Sequence, residues 1–200
     1  SENKAAVVLE SDALPAPDFP AFAADGVGRL MADHGLGALK LEYWPGPQIS
    51  RRRPLGTLLG PGPAGSALYR LRRGFLGTCG YVLTARAAAA LLARFPALTV
   101  PVDHFLFGRS AGLGFDLLRP GFVNPAPVLH DTAGFASDIG AGRPEEPRRT
   151  LRRRWRDRRA ARAAAGEVKA GLAVPVAMTF SCDATRSPPA AVVSPWPQEQ

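Results

Sequence analysis

Five apolar residues, Ala5-Ala6-Val7-Val8-Leu9, run without a break into Glu10-Ser11-Asp12. Strands covered on both faces read as unbroken apolar runs, and in open α/β sheets ligands gather beyond the carboxyl ends of the strands. The pattern therefore predicts a buried strand over residues 5–9 that delivers acidic groups to a site. Carboxylates so placed suit a hard divalent cation, Mn²⁺ or Mg²⁺, which could in turn hold a diphosphate. The plainer alternative is that these acids cap the next element or sit in solvent.

Two later stretches carry related chemistry. Gly77-Thr78-Cys79-Gly80-Tyr81 places two glycines, which tolerate positive φ and close backbone approach, around a hydroxyl and ahead of an aromatic ring with a polar tip. A sugar ring suits such a turn; a tight turn whose tyrosine packs in the core is the structural alternative. Pro101-Val102-Asp103-His104 places a carboxylate before a short apolar segment. Asp103 could accept a proton as general base or cap a helix over residues 104–111. His130 follows the apolar pair Val128-Leu129, with Asp131 beside it.

In this order and spacing, residues 10–12, 77–81 and 101–103 resemble glycosyltransferase family 25, the lipopolysaccharide and lipooligosaccharide sugar transferases. That family has a strand ending in Glu-Asp-Asp, a Gly-Thr-x-Gly-Tyr segment before a helix, and a Pro-Val-Asp or Pro-Ile-Asp element. The run from Val123 to His130, with Ser137-Asp138-Ile139 after it, is similar to the family's closing strand and Ser-Asp-Ile segment. The resemblance spans residues 5–140. It implies a GT-A-like (Rossmann-type) α/β fold, a mixed sheet flanked by helices, and transfer of a hexose, galactose by resemblance, from a UDP-sugar to a lipid-linked saccharide acceptor.

Carried over residue by residue, the resemblance assigns Asp103 as the base. Glu10, Ser11, Gly77, Thr78, Gly80 and Tyr81 become donor contacts, and Asp12 with His130 the ligands of Mn²⁺ or Mg²⁺. Two positions depart from the family pattern. Ser11 stands where the family has Asp, and His130 where it often has Gln. Family members also carry a substantial segment before the first strand, where this chain has four residues. The expected domain therefore lacks the usual N-terminal strands, and a catalytically inactive relative that docks on a membrane or partner is the alternative.

Charge is unevenly distributed. Residues 148–162 hold nine arginines and one acid, Asp157, a net of 9 − 1 = +8 that equals the formal charge of the whole 200-residue chain. The body is thus neutral. A basic helix carrying Leu151 and Trp155 suits an anionic membrane surface, whereas nucleic-acid binding is disfavoured by the lack of aromatic interleaving and of a recognition motif. No apolar run approaches the roughly 18 residues of a membrane span, and no export signal is seen, so a cytoplasmic location, peripheral on the membrane, is expected. Cys79 and Cys182 lie far apart in unlike contexts, which is neither a disulfide framework nor a zinc site. Cys79 reads as a small buried filler.

Periodicity predicts a helix from Phe19 to Met31 capped by Asp18, a strand over Leu39–Glu42, a long loop over 45–65, and a strand over Leu68–Leu71. A helix from Ala85 to Phe95 follows, capped by Thr84, with Leu91, Leu92 and Phe95 as its apolar patch. Strands are expected at 115–118 and 121–124. The domain organisation reads as a transferase-like α/β unit over 1–143, the arginine-rich helix over 144–170, and a tail of little fixed structure over 171–200.

Overall fold

The computed structural model describes residues 4–24, 26–109, 114–131 and 151–182. Its organising strand is β3 (Ala38–Lys40), which lies between β7 (Gly80–Thr84), antiparallel to it, and β8 (Gly121–Asn124), parallel to it. Outward from β7 lies β1 (Ala5–Leu9). Outward from β8 lie β6 (Ala67–Leu71), β5 (Leu55–Pro61) and β10 (Val174–Pro175). The seven strands form one mixed sheet in the order β1-β7-β3-β8-β6-β5-β10.

Strand side chains alternate between faces, and this alternation sorts the core. Leu39, Val82, Leu68 and Val123 point to one face and pack with Phe22, Val27 and Met31. These come from α1 (Pro20–Ala23) and α2 (Gly26–Asp33). Ala38 and Tyr81 point the other way, onto Ala87, Leu91, Phe105, Phe107 and Leu118. That layer is built from α4 (Ala85–Arg94), α5 (Val102–Phe107) and α6 (Phe115–Leu118). The arrangement is a mixed α/β fold, a sheet between two helical layers. Thr84 caps α4 as its sequence suggests: its hydroxyl accepts from the Ala87 amide at 3.2 Å.

Three strands leave the large sheet and continue as a small one, β2 (Ala13–Pro15), β9 (Val128–His130) and β4 (Glu42–Tyr43), in the order β2-β9-β4. The chain crosses at residues 10–12 between β1 and β2, at Leu41 between β3 and β4, and at 125–127 between β8 and β9. Backbone bonds stitch the crossings together: Leu41 N–H to Gly80 O at 3.0 Å, Val128 N–H to Leu41 O at 3.0 Å, and Glu10 N–H to Cys79 O at 2.9 Å. The acidic turn, the glycine turn and the closing strand thus meet at one junction.

Several expectations are corrected. β1 is an edge strand rather than a buried one: it pairs with β7 antiparallel, and Val8 and Leu9 are exposed. Ala and Val side chains tolerate that half-open position, so apolarity alone overstated its burial. The helix from Phe19 breaks into α1 and α2. Its N-cap is Phe19, and Asp18 instead accepts from the Ser181 hydroxyl at 2.6 Å. Residues 45–65 are not one loop; they form the short helix α3 (Ile49–Arg52), β5 and a 3-10 turn at Pro63–Gly65. Residues 115–118 are helical, not extended, and Leu92 faces solvent instead of the α4 apolar patch.

The C-terminal expectation also changes in part. Ala173, Val176 and Met178 are buried, and β10 pairs with β5. Asn124 Oδ1 accepts from the Thr179 amide at 2.8 Å, which fastens this segment across the sheet. The predicted tail is therefore part of the fold as far as Cys182. The α7 helix (Leu151–Lys169) carries the arginines from Arg152 to Arg162, while Arg148, Arg149, the expected boundary near 143–150 and the Ser137-Asp138-Ile139 segment lie outside the described residues.

Candidate functional site

The junction of the two sheets holds a connected set of polar side chains. Lys40 and Glu42 stand two apart on one face of the β3–β4 crossing, hence on the same side, and both are fully buried. Lys40 Nζ lies 3.0 Å from Glu42 Oε1, donates to the carbonyls of Phe75 (2.9 Å) and Gly77 (2.6 Å), and sits over the rings of Phe75 and Phe107. Burial pushes the Lys40 ammonium below its ordinary pKa, and the neighbouring Glu42 carboxylate opposes that shift. Asp103 acts on it weakly in the same sense as Glu42.

Glu42 joins the rest. Its Oε1 also accepts from Arg51 Nη2 at 3.1 Å, and its Oε2 from the Cys79 amide at 2.8 Å. Arg51 lies over the Trp44 ring, 4.4 Å from its centroid, and reaches His130 Nδ1 at 3.4 Å. A guanidinium only donates, so Nδ1 is the accepting nitrogen and the ring proton belongs on Nε2. There it meets Asp12 Oδ2 at 3.0 Å. Asp12 Oδ1 is buried with no hydrogen-bond partner. Thr78 Oγ1 donates to Glu10 Oε1 at 2.5 Å. A continuous path therefore runs from Lys40 through Glu42, Arg51 and His130 to Asp12.

Gly77 is required at this crossing. Its φ is +105°, and a Cβ there would overlap both Glu42 Oε1 and Arg51 Nη2. Gly80 faces Val128 closely and serves packing between β7 and β9. Cys79 is buried, and its thiol is pushed well above the ordinary value, first by burial and then by Glu42, Asp12 and Glu10. It is a filler rather than a nucleophile.

The structure brings together Glu10, Asp12, Gly77, Thr78 and His130, with Ser11 exposed on the rim of the same turn. Tyr81 departs from expectation: its ring packs edge-on against Phe107 at 5.6 Å inside the core, so it offers no open face to a sugar. Asp103 is not the cap of a 104–111 helix. It lies inside α5, which spans Val102–Phe107 behind Pro101, and accepts from the His104 amide at 2.7 Å.

Sequence reasoning missed Lys40, Glu42 and Arg51. The signal for the first two was there: charges alternating with Leu39 and Leu41 inside an apolar strand share a face, and buried charges are paired. Arg51, one of three successive arginines, carried no such mark. Among the described residues no three His, Cys, Asp or Glu side chains are grouped closely enough to hold a metal ion. The fold and the junction define a mixed α/β domain with a polar cluster where its two sheets meet. No family model matches the chain, and neither a curated protein nor a solved structure does.

Proposed function

We propose that the chain is a glycosyltransferase domain of GT-A type, resembling family 25, which binds a UDP-sugar at the sheet junction and transfers its hexose to a lipid-linked saccharide. One observation carries this reading: residues 10–12, 77–79 and 130, from three of the four segments that bear the resemblance, are hydrogen-bonded neighbours although up to 120 positions apart. Asp12 is the central group. Its buried Oδ1, which no N–H or O–H meets, retains a lone pair that fits Mn²⁺ or Mg²⁺, and such an ion would stabilise the leaving diphosphate. His130, whose Nε2 proton is directed at Asp12, fits as the support of that carboxylate rather than as a ligand. Glu10 and Thr78 line the same rim and can bond sugar hydroxyls. Asp103 is the proton acceptor in this reading.

The test is release of UDP from UDP-galactose by the purified chain, with and without Mn²⁺ and with a lipooligosaccharide acceptor. Acceptor-dependent release supports transfer, and no release under any condition removes it. A second reading is a protein of the same fold that docks on a membrane or partner without transferring sugar. Its support is Trp155 on α7, 65% exposed with Arg159 over its ring at 5.7 Å. Binding to anionic vesicles in the absence of any UDP release would favour it.

A further inference from the structure

At the opposite end of the central strands, where β8 begins, the chain gathers a second set of charges. Arg70 is in register with Gly121, the first residue of β8, whereas the junction lies beyond Asn124, its last. Arg70, Arg72, Arg109 and Arg119 line a cleft of about 200 Å³ together with Phe115 and one acid, Asp116. Four guanidiniums around one small space repel each other, and no described ion pair joins Asp116 to any of them. Arg72 is matched through its Nε alone, 3.4 Å from Glu167 on α7. Arg70 donates through Nη2 to the His34 carbonyl, but its Nη1 is buried without a partner. Burial, then Arg119 and Arg72, push the Arg70 guanidinium below its ordinary pKa.

Arg119 adds an independent mark. It has φ +46°, the left-handed region that disfavours side chains other than Gly, Asn and Asp. A glycine would end α6 there more comfortably, yet the position carries a long cation directed along the cleft wall near Gly35. Planar guanidinium forks match phosphate oxygens two at a time, and a doubly charged anion would relieve the mutual repulsion. The cleft is smaller than the roughly 300–1,000 Å³ of pockets that take drug-sized ligands, which favours a compact anion over a whole nucleotide.

We propose that this cleft is a binding site for a compact phosphorylated ligand, a phosphomonoester or diphosphate group, held by Arg70, Arg72 and Arg119. The inference does not rest on the sugar-transfer reading, since it uses none of the junction residues.

The probes are inorganic phosphate and pyrophosphate, titrated by calorimetry at fixed ionic strength. The wild-type chain should bind one equivalent, with pyrophosphate the tighter if a diphosphate is the natural group and phosphate at least its equal if a phosphomonoester is. Arg119→Gly should weaken binding by about 10-fold or more while its melting temperature holds or rises, because the backbone strain is relieved. Arg72→Gln should lose affinity likewise, and serves if the first variant folds poorly. Arg94→Gln removes the same charge from the exposed end of α4 and should change affinity less than about 2-fold. Equal losses in Arg94→Gln and Arg119→Gly, or no stoichiometric binding by the wild type, would overturn the proposal.

Discussion

Lys40 Nζ and Glu42 Oε1 meet at 3.0 Å where neither side chain has any solvent exposure. The pair holds the turn on which the candidate site depends, Lys40 through the carbonyls of Phe75 and Gly77, Glu42 through the Cys79 amide. Taking one partner away leaves a buried, uncompensated charge, so Lys40→Met or Glu42→Gln should each cost roughly 3–5 kcal/mol in urea unfolding. The double variant Lys40→Met/Glu42→Leu should recover part of that loss. A double variant no better than the worse single one would show that the bonds to the turn, not the charge pairing, dominate.

Gly77→Ala should be as damaging at the junction. The new methyl group meets Glu42 and Arg51 in a backbone conformation that alanine disfavours. Strain of this kind costs on the order of 1–3 kcal/mol before any displacement of the ion pairs. The melting temperature should fall by several degrees, whereas Gly166→Ala, on α7 with open space around it, should leave it unchanged or raise it.

The two thiols should separate cleanly. Cys182 is exposed and Cys79 buried, so a disulfide reagent at pH 8 should modify one thiol at once and the second only on unfolding. The sign of the pH effect follows from the raised value of Cys79. The unfolded thiol loses its proton near its ordinary value of 9.0, while the folded one keeps it. Stability from this group is therefore intact below pH 9 and is lost as the pH rises above it. Between pH 8 and 10 the wild type should lose about 1.4 kcal/mol relative to Cys79→Ala.

What the sequence disclosed, and what it withheld, follows from the range of the interactions involved. β1, β6, β8 and α4 were legible because local pattern and a threonine cap decide them. β5 hid among prolines and glycines, since a strand paired on both sides draws its stability from neighbours such as Tyr69 and Phe122 rather than from its own composition. The site residues at 10–12, 77–78 and 130 were visible as types at turns. The charges that bind them together were not, because Lys40 and Arg51 acquire their meaning only when Glu42 is brought between them. Tyr81 shows the reverse error: an aromatic beside a glycine turn was read as a ligand face, and the fold spends it in the core.

Asp103 and Asp12 should separate by kinetic behaviour. Asp103→Asn should keep donor affinity within about 3-fold and lower transfer by at least about 100-fold, the range for loss of a general base. His130→Gln, which keeps a donor towards Asp12, should be milder than His130→Ala. Equal activity of Asp103→Asn and wild type would move the base elsewhere.

The most direct measurement is calorimetric binding of UDP-galactose to the wild type and to Asp12→Asn, each with and without Mn²⁺. The account predicts tighter binding with the metal in the wild type, and loss of that metal-dependent gain in the variant, with the melting temperatures alike in the absence of ligand. Binding that is equal in both proteins and indifferent to Mn²⁺ would contradict it.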